Sequence, residues 1–158
     1  MLTSRRKRAI RARAAAAFGR LIGLMQTLRS THGCPWDRKQ THATLRPFLI
    51  EEAYEFLDAV DANDSEEMCT EIGDVLFQCV FHAQIAAEDK RFEMADAIES
   101  ICQKLIRRHP HVFTPSGRPL GTGGRAKRKA RTAEAVLEQW EQIKATEQKT
   151  AGSKARSG

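Results

Sequence analysis

The chain contains no apolar run of about 18 residues, the length a membrane-spanning helix needs. Its basic start, MLTSRRKRAIRARAAAAFGR, lacks a long apolar segment for export. No C-x-x-C pair occurs among Cys34, Cys69, Cys79 and Cys102, which argues against a zinc site. Three of the four lie in apolar helical patterns, so free, buried thiols in a reducing cytoplasm are expected. There is no Walker-type loop, no G-x-G-x-x-G, no H-E-x-x-H and no E-x-x-H. These absences set aside the P-loop, dinucleotide-binding, zincin and di-iron bundle classes. G-T-G-G at 121–124 sits in a basic stretch with no strand pattern before it. No period-two segment and no internal repeat is found, so β architectures and solenoids fall away.

What is present is charge, unevenly placed. The net +6 of the 158 residues averages two opposite regions. Residues 1–20 carry seven Arg or Lys and no acid, and residues 114–131 carry six and no acid. Between them, residues 21–113 hold nine basic and sixteen acidic residues. An acidic folded centre is therefore expected, with the basic character in an N-terminal arm over 1–20 and a basic loop insert over 114–131. The arm resembles an organellar presequence in composition, but it is read as a solvated helix. Nucleic acid, attracted by simple charge, is the alternative partner for these runs. The insert supplies no aromatic residue for stacking on a base.

The remaining pattern is all-helical. A first helix is expected over about 9–29, with Leu21, Leu24, Met25 and Leu28 on one stripe. THGCPWDRKQTHATL reads as a loop. Thr44 is expected to cap a second helix with Pro47 in its first turn, ending near 61–63. Asp64, with Glu67 as a capping partner, opens a third helix that runs to about Glu88. A fourth covers Met94–Arg108, and a fifth covers 132–148, followed by a disordered tail over 149–158. At this length one core is expected, in a domain spanning 21–148.

The feature that carries chemistry is a set of carboxylates at helical spacing. Glu51, Glu52 and Glu55 read E-E-x-x-E in IEEAYEFLDAV, and Glu71 and Asp74 read E-x-x-D in EIGDVLFQCVF. Residues three or four apart share a helix face. The first cluster alone fits a solvated face. The second lies in one of the most apolar stretches of the chain, where a carboxylate is costly unless it is paired or bound to metal. Gly73 between them costs about 1 kcal/mol of helix stability relative to Ala, and is expected to let a neighbour approach closely. An all-oxygen set of this kind favours a hard divalent cation, Mg2+ with Mn2+ as a substitute.

Cationic and aromatic counterparts are also present. Lys104, Arg107 and Arg108 lie at i, i+3 and i+4 near a helix end, where they either complement the helix dipole or hold phosphate. Trp36, beside Asp37, and Trp140 are either packing residues or walls for a base. His82, in an apolar pattern, reads as a core residue.

Together, GCPWDRKQTHATLRPFLIEEAYEFLDAV, EIGDVLFQCVFHAQIAAE, RFEMADAIESICQKLIRRHPHVF and VLEQWEQIKATE resemble the MazG family of nucleoside triphosphate pyrophosphohydrolases. The likeness is to one repeat of two-repeat members, and one repeat is read here. The resemblance implies an all-α, MazG-like bundle of four to five helices, with its core completed in a homodimer. It implies Mg2+-dependent hydrolysis of an NTP to NMP and pyrophosphate. By the family pattern the metal ligands fall on Glu52, Glu55, Glu71 and Asp74. Glu51 or Glu55 takes a proton from the attacking water, Lys104, Arg107 and Arg108 hold phosphates, and Trp140 lies near the nucleotide. A non-catalytic nucleotide-binding module is the alternative. The long basic insert and the basic arm depart from the pattern and leave substrate preference open.

Overall fold

Helix boundaries in the computed structural model, which describes residues 3–120 and 132–154 with side chains as far as 147, follow largely from local capping chemistry. Six helices occur among these residues: α1 (Ser4–Arg29), α2 (Pro35–Lys39), α3 (His42–Asp61), α4 (Ser65–Glu88), α5 (Met94–Arg108) and α6 (Ala133–Lys154). No strand is present among the described residues, and an isolated bridge pairs Phe113 with Pro119. The fold class is all-α, as expected. No helix among them is long and apolar enough to cross a membrane. The chain forms two compact units, one ending at Ala97 and one beginning at Ile98.

Several boundaries differ from the sequence expectation, each for a local reason. Thr3 caps α1, so the helix begins at Ser4 and takes in most of the basic arm. Thr41, rather than Thr44, caps α3: its hydroxyl accepts from the Thr44 N–H, and the Thr44 hydroxyl accepts from the Thr41 N–H at 2.9 Å. Pro47 consequently lies inside α3, where it removes one backbone donor. The expected loop after α1 contains the five-residue α2, which begins with Pro35. A helix this short depends on outside partners. The Arg29 guanidinium donates to the Asp37 and Gln40 carbonyls at its C-terminal end and to Glu88 of α4. Gly33 is required at the α1–α2 corner, since a Cβ there would stand 2.1 Å from the Leu28 carbonyl oxygen. Asp64 caps α4 as expected, accepting from Glu66 and Glu67 N–H groups. The last helix runs to Lys154, beyond the expected 148. Residues 114–120, expected as part of a basic loop insert, form a hydrogen-bonded turn around Gly117 (φ +75°), and 121–131 lie outside the described residues.

The core lies in the first unit. Met25, Leu45, Val80, Phe81 and Ile85 are buried against one another, with Phe18, Leu21, Ile22, Phe48, Phe77 and Met94 around them. Helices α3 and α4 pack as a hairpin, and α1 lies on α4. Within this chain the apolar patterns are not all buried. Leu24 is exposed, as are Ile50, Tyr54 and Leu57 along α3, and Ile72 and Leu76 along α4. Cys69 and Cys79 share that exposed α4 stripe, so the expectation of buried cysteines is corrected: all four are free, but only Cys34 is even half-buried. Gly73 lies in the same exposed stretch, and a Cβ there meets nothing within 4 Å; close approach does not explain it in this chain.

Candidate functional site

The α3–α4 hairpin brings the two carboxylate clusters together. The connection is three residues long, Ala62 to Asp64, with Asn63 in the left-handed region (φ 53°) that Asn adopts readily. One carboxylate oxygen each from Glu52, Glu55 and Glu71 lie within 4.8 Å of one another. Glu71 is only 6% exposed, and its Oε2 has no hydrogen-bond partner among the described residues. An ionised carboxylate in that setting is costly to bury without a counter-charge.

The electrostatics report the same crowding. Burial pushes the Glu71 carboxyl above 4.5, with Glu55, Asp74, Glu67 and Glu52 adding in that order. Burial also raises Glu52, followed by Asp74 and Glu55, while an amide hydrogen bond from Gln78 partly opposes the shift. Asp74 therefore stands in the field of both groups, although it is outside the compact oxygen cluster. Glu51 is exposed and lines a separate recess with Ala43, Arg46, Pro47 and Ile50. Glu55 and Glu71 share a recess with Glu67, Asp58 and Asp64. Glu67, read from sequence as a capping partner, thus belongs to the acidic site. Its position four residues before Glu71 was a legible signal.

These residues fit a hard divalent cation. The donor set is all oxygen, one buried oxygen lacks a partner, and no basic residue appears among the groups that shift Glu52 or Glu71.

The second unit presents the opposite arrangement. Arg107 donates from Nε and NH2 to Glu147 Oε1 at 3.2 and 3.1 Å, and Arg108 donates likewise to Oε2 at 3.1 and 2.6 Å. The paired guanidiniums hold Glu147 below the usual carboxylate range, Arg108 contributing most. Trp140, two turns further up α6, lies under the Arg108 guanidinium at 5.8 Å and the Lys144 ammonium at 5.2 Å. His109 meets its ring edge at 5.8 Å, and the indole Nε1 is buried without a partner among the described residues. Lys104 is half-buried and forms no ion pair among the described residues.

Comparison with known proteins decides the family at this point. Residues 40–113 match the MazG nucleotide pyrophosphohydrolase domain. The chain belongs to the MazG family. It is 54% identical over 99 residues to the nucleoside triphosphate pyrophosphohydrolase/pyrophosphatase MazG of Thermotoga maritima, covering 63% of this chain and 39% of that protein. It is 46% identical over 129 residues to the nucleoside triphosphate pyrophosphohydrolase of Escherichia coli K12, covering 81% of this chain and 44% of the relative. The protein of the same description in Mycobacterium tuberculosis is 36% identical over 128 residues, with 80% and 35% covered. The chain thus spans less than half the length of each of these relatives. The MazG match contains all five candidate carboxylates together with Lys104, Arg107 and Arg108. It stops short of Trp36 and of α6, which carries Trp140.

Trp36, on α2, is 52% exposed and meets Phe48 edge-on at 5.8 Å. His82, expected in the core, is half-buried and stacks on His42, with their Nδ1 atoms 2.8 Å apart. The residues that sequence reasoning missed are Glu67, Gln78, Lys144 and Glu147. The last two follow Trp140 at i+4 and i+7, so their shared face was readable, but not what it faces.

Proposed function

We propose that this chain hydrolyses nucleoside triphosphates to nucleoside monophosphate and pyrophosphate, with Mg2+ as its cofactor and Mn2+ as a substitute. The observation that carries the reading is the Glu52–Glu55–Glu71 cluster, with its buried, unpartnered oxygen. In this reading Glu52, Glu55, Glu71 and Asp74 hold the metal. A metal so held supplies charge neutralisation on the triphosphate and makes a bound water more acidic. Glu55 accepts the proton of the attacking water; its place in the acidic recess supports it over Glu51, which is left to orient water. Lys104, Arg107 and Arg108 carry the phosphate charge, and Trp36 and Trp140 are each read as a wall for a base. The names of the relatives support this assignment of reaction.

The same reading includes a second copy of the chain. The exposed apolar stripes Ile50–Tyr54–Leu57 on α3 and Ile72–Leu76 on α4 support a homodimer that covers them.

The test is a panel of ordinary and modified NTPs with Mg2+, with pyrophosphate and orthophosphate measured separately. Pyrophosphate with NMP is expected, and Glu71→Gln is expected to abolish it. Release of orthophosphate overturns the assigned bond. Mg2+-dependent binding without turnover favours a nucleotide-binding module instead.

A further inference from the structure

The Arg107–Arg108–Glu147 contact contains more than an ordinary surface ion pair. Neighbouring residues on a helix point about 100° apart and do not normally share a target. Here the guanidiniums of two consecutive residues converge on one carboxylate, each oxygen taking the Nε and NH2 hydrogens of one arginine. The contact uses the Nε–NH2 edge of both side chains. Neither NH1 donates to an acceptor among the described residues. One negative charge set against two positive ones leaves the group cationic, as an anion-binding site requires. Trp140, Lys144 and Glu147 lie at i, i+4 and i+7 on α6, so one face carries both the carboxylate and the ring over which Arg108 is laid.

We propose that Glu147 is a positioning residue for phosphate binding. It draws Arg107 and Arg108 into a fixed pair, with their NH1 groups left for phosphate oxygens. The proposal rests on the reading of the two arginines as phosphate-holding. Glu147 itself touches no substrate. Its effect is to remove the rotamer freedom and the mutual repulsion that two long cations otherwise bring to the site. The loss expected on its removal is therefore in affinity rather than in the chemical step.

The experiment uses the full chain with Glu147→Gln, Glu147→Asp, Arg107→Ala and Arg108→Ala. Each is checked by thermal melting, then read as KM and kcat for ATP with Mg2+ and as Kd for inorganic pyrophosphate by titration calorimetry. The pyrophosphate titration requires no turnover. Glu147→Gln keeps the shape and removes the charge; it is expected to raise KM and the pyrophosphate Kd about tenfold while kcat stays within about threefold. Glu147→Asp is expected to recover part of the loss. If the arginine variants weaken binding and Glu147→Gln leaves it unchanged, the positioning role fails alone. If Glu147→Gln tightens binding, Glu147 competes with phosphate and the proposal is overturned. If both arginine variants bind pyrophosphate as the unaltered chain does, the phosphate-holding reading fails and the proposal falls with it.

Discussion

Glu71 in the first unit and Glu147 in the second are the same side chain in opposite surroundings. Glu71 is buried among Glu55, Asp74, Glu67 and Glu52, and its carboxyl is pushed up. Glu147 sits between two guanidiniums, and its carboxyl is pulled down. The carboxylate cluster of the first unit lacks a counter-charge among the described residues, and an added cation would supply one. In the second, the chain supplies its own counter-charge and has cationic capacity left over. A helical run of charge thus acquires meaning only from what faces it.

The strongest way to break this comparison is Glu71→Gln. It should lower kcat for pyrophosphate release by at least about 100-fold, while raising the thermal midpoint of the metal-free protein, because a repelling charge has gone. A fall in the metal-free midpoint removes the claim that the cluster is strained without a cation.

Next in size is Arg29→Ala. Arg29 joins α1 to two carbonyls of α2 and to Glu88 of α4 at 2.6 Å, with its own side chain 8% exposed. Its loss leaves two part-buried carbonyls without this donor and should cost about 1–3 kcal/mol in urea unfolding. A change below about 0.5 kcal/mol, the size of a neutral surface substitution, means the first unit does not depend on that junction.

Acid should act on the Glu52–Glu71 cluster and on Glu147 with opposite sign. Glu52 and Glu71 have carboxyls raised above 4.5, so the metal-free cluster's contribution to stability falls as pH climbs from 4.5 through their raised values. Glu147 is lowered, so its contribution is complete above 4.5 and lost as pH falls through its lowered value. Side-chain carboxyl titration by NMR should show Glu71 titrating above, and Glu147 below, an exposed glutamate. Mg2+ should raise the melting temperature at neutral pH, and the gain should fade as acid protonates the cluster. An equal gain in Glu71→Gln breaks the link to this site.

The smallest expected effect is at the His42–His82 contact. Burial, then His42, lowers His82 below 6.5, so stability from this pair is complete above 6.5 and lost as pH falls through the lowered value. Arg91 donates to His42 Nε2 and is itself paired with Asp89. Protonating the His82 ring therefore sets a donor against a donor. His82→Gln should flatten the pH dependence of melting in this range. An unchanged profile places its origin elsewhere.

Much of this was legible in the chain itself. The 3.6-residue period and the capping residues placed α4 and α5 at their observed bounds, since hydrogen bonds within a few residues decide where a helix begins and ends. Glu52, Glu55 and Glu71 were legible as one carboxylate cluster because spacing places residues on a face and an apolar context makes a carboxylate there expensive. The family was legible from the ordered segments around them. Only the tertiary structure decided the rest. It folded α2 out of an expected loop, because Arg29 reaches across to satisfy its carbonyls. It separated Glu51 from Glu55, one residue type in one motif, because adjacent turns of α3 face different recesses. It paired Arg107 and Arg108 with Glu147, about forty residues away, which no local period can announce. Local order follows from the backbone's own hydrogen bonds, but the partner of a charge is chosen by whichever distant segment the fold brings beside it.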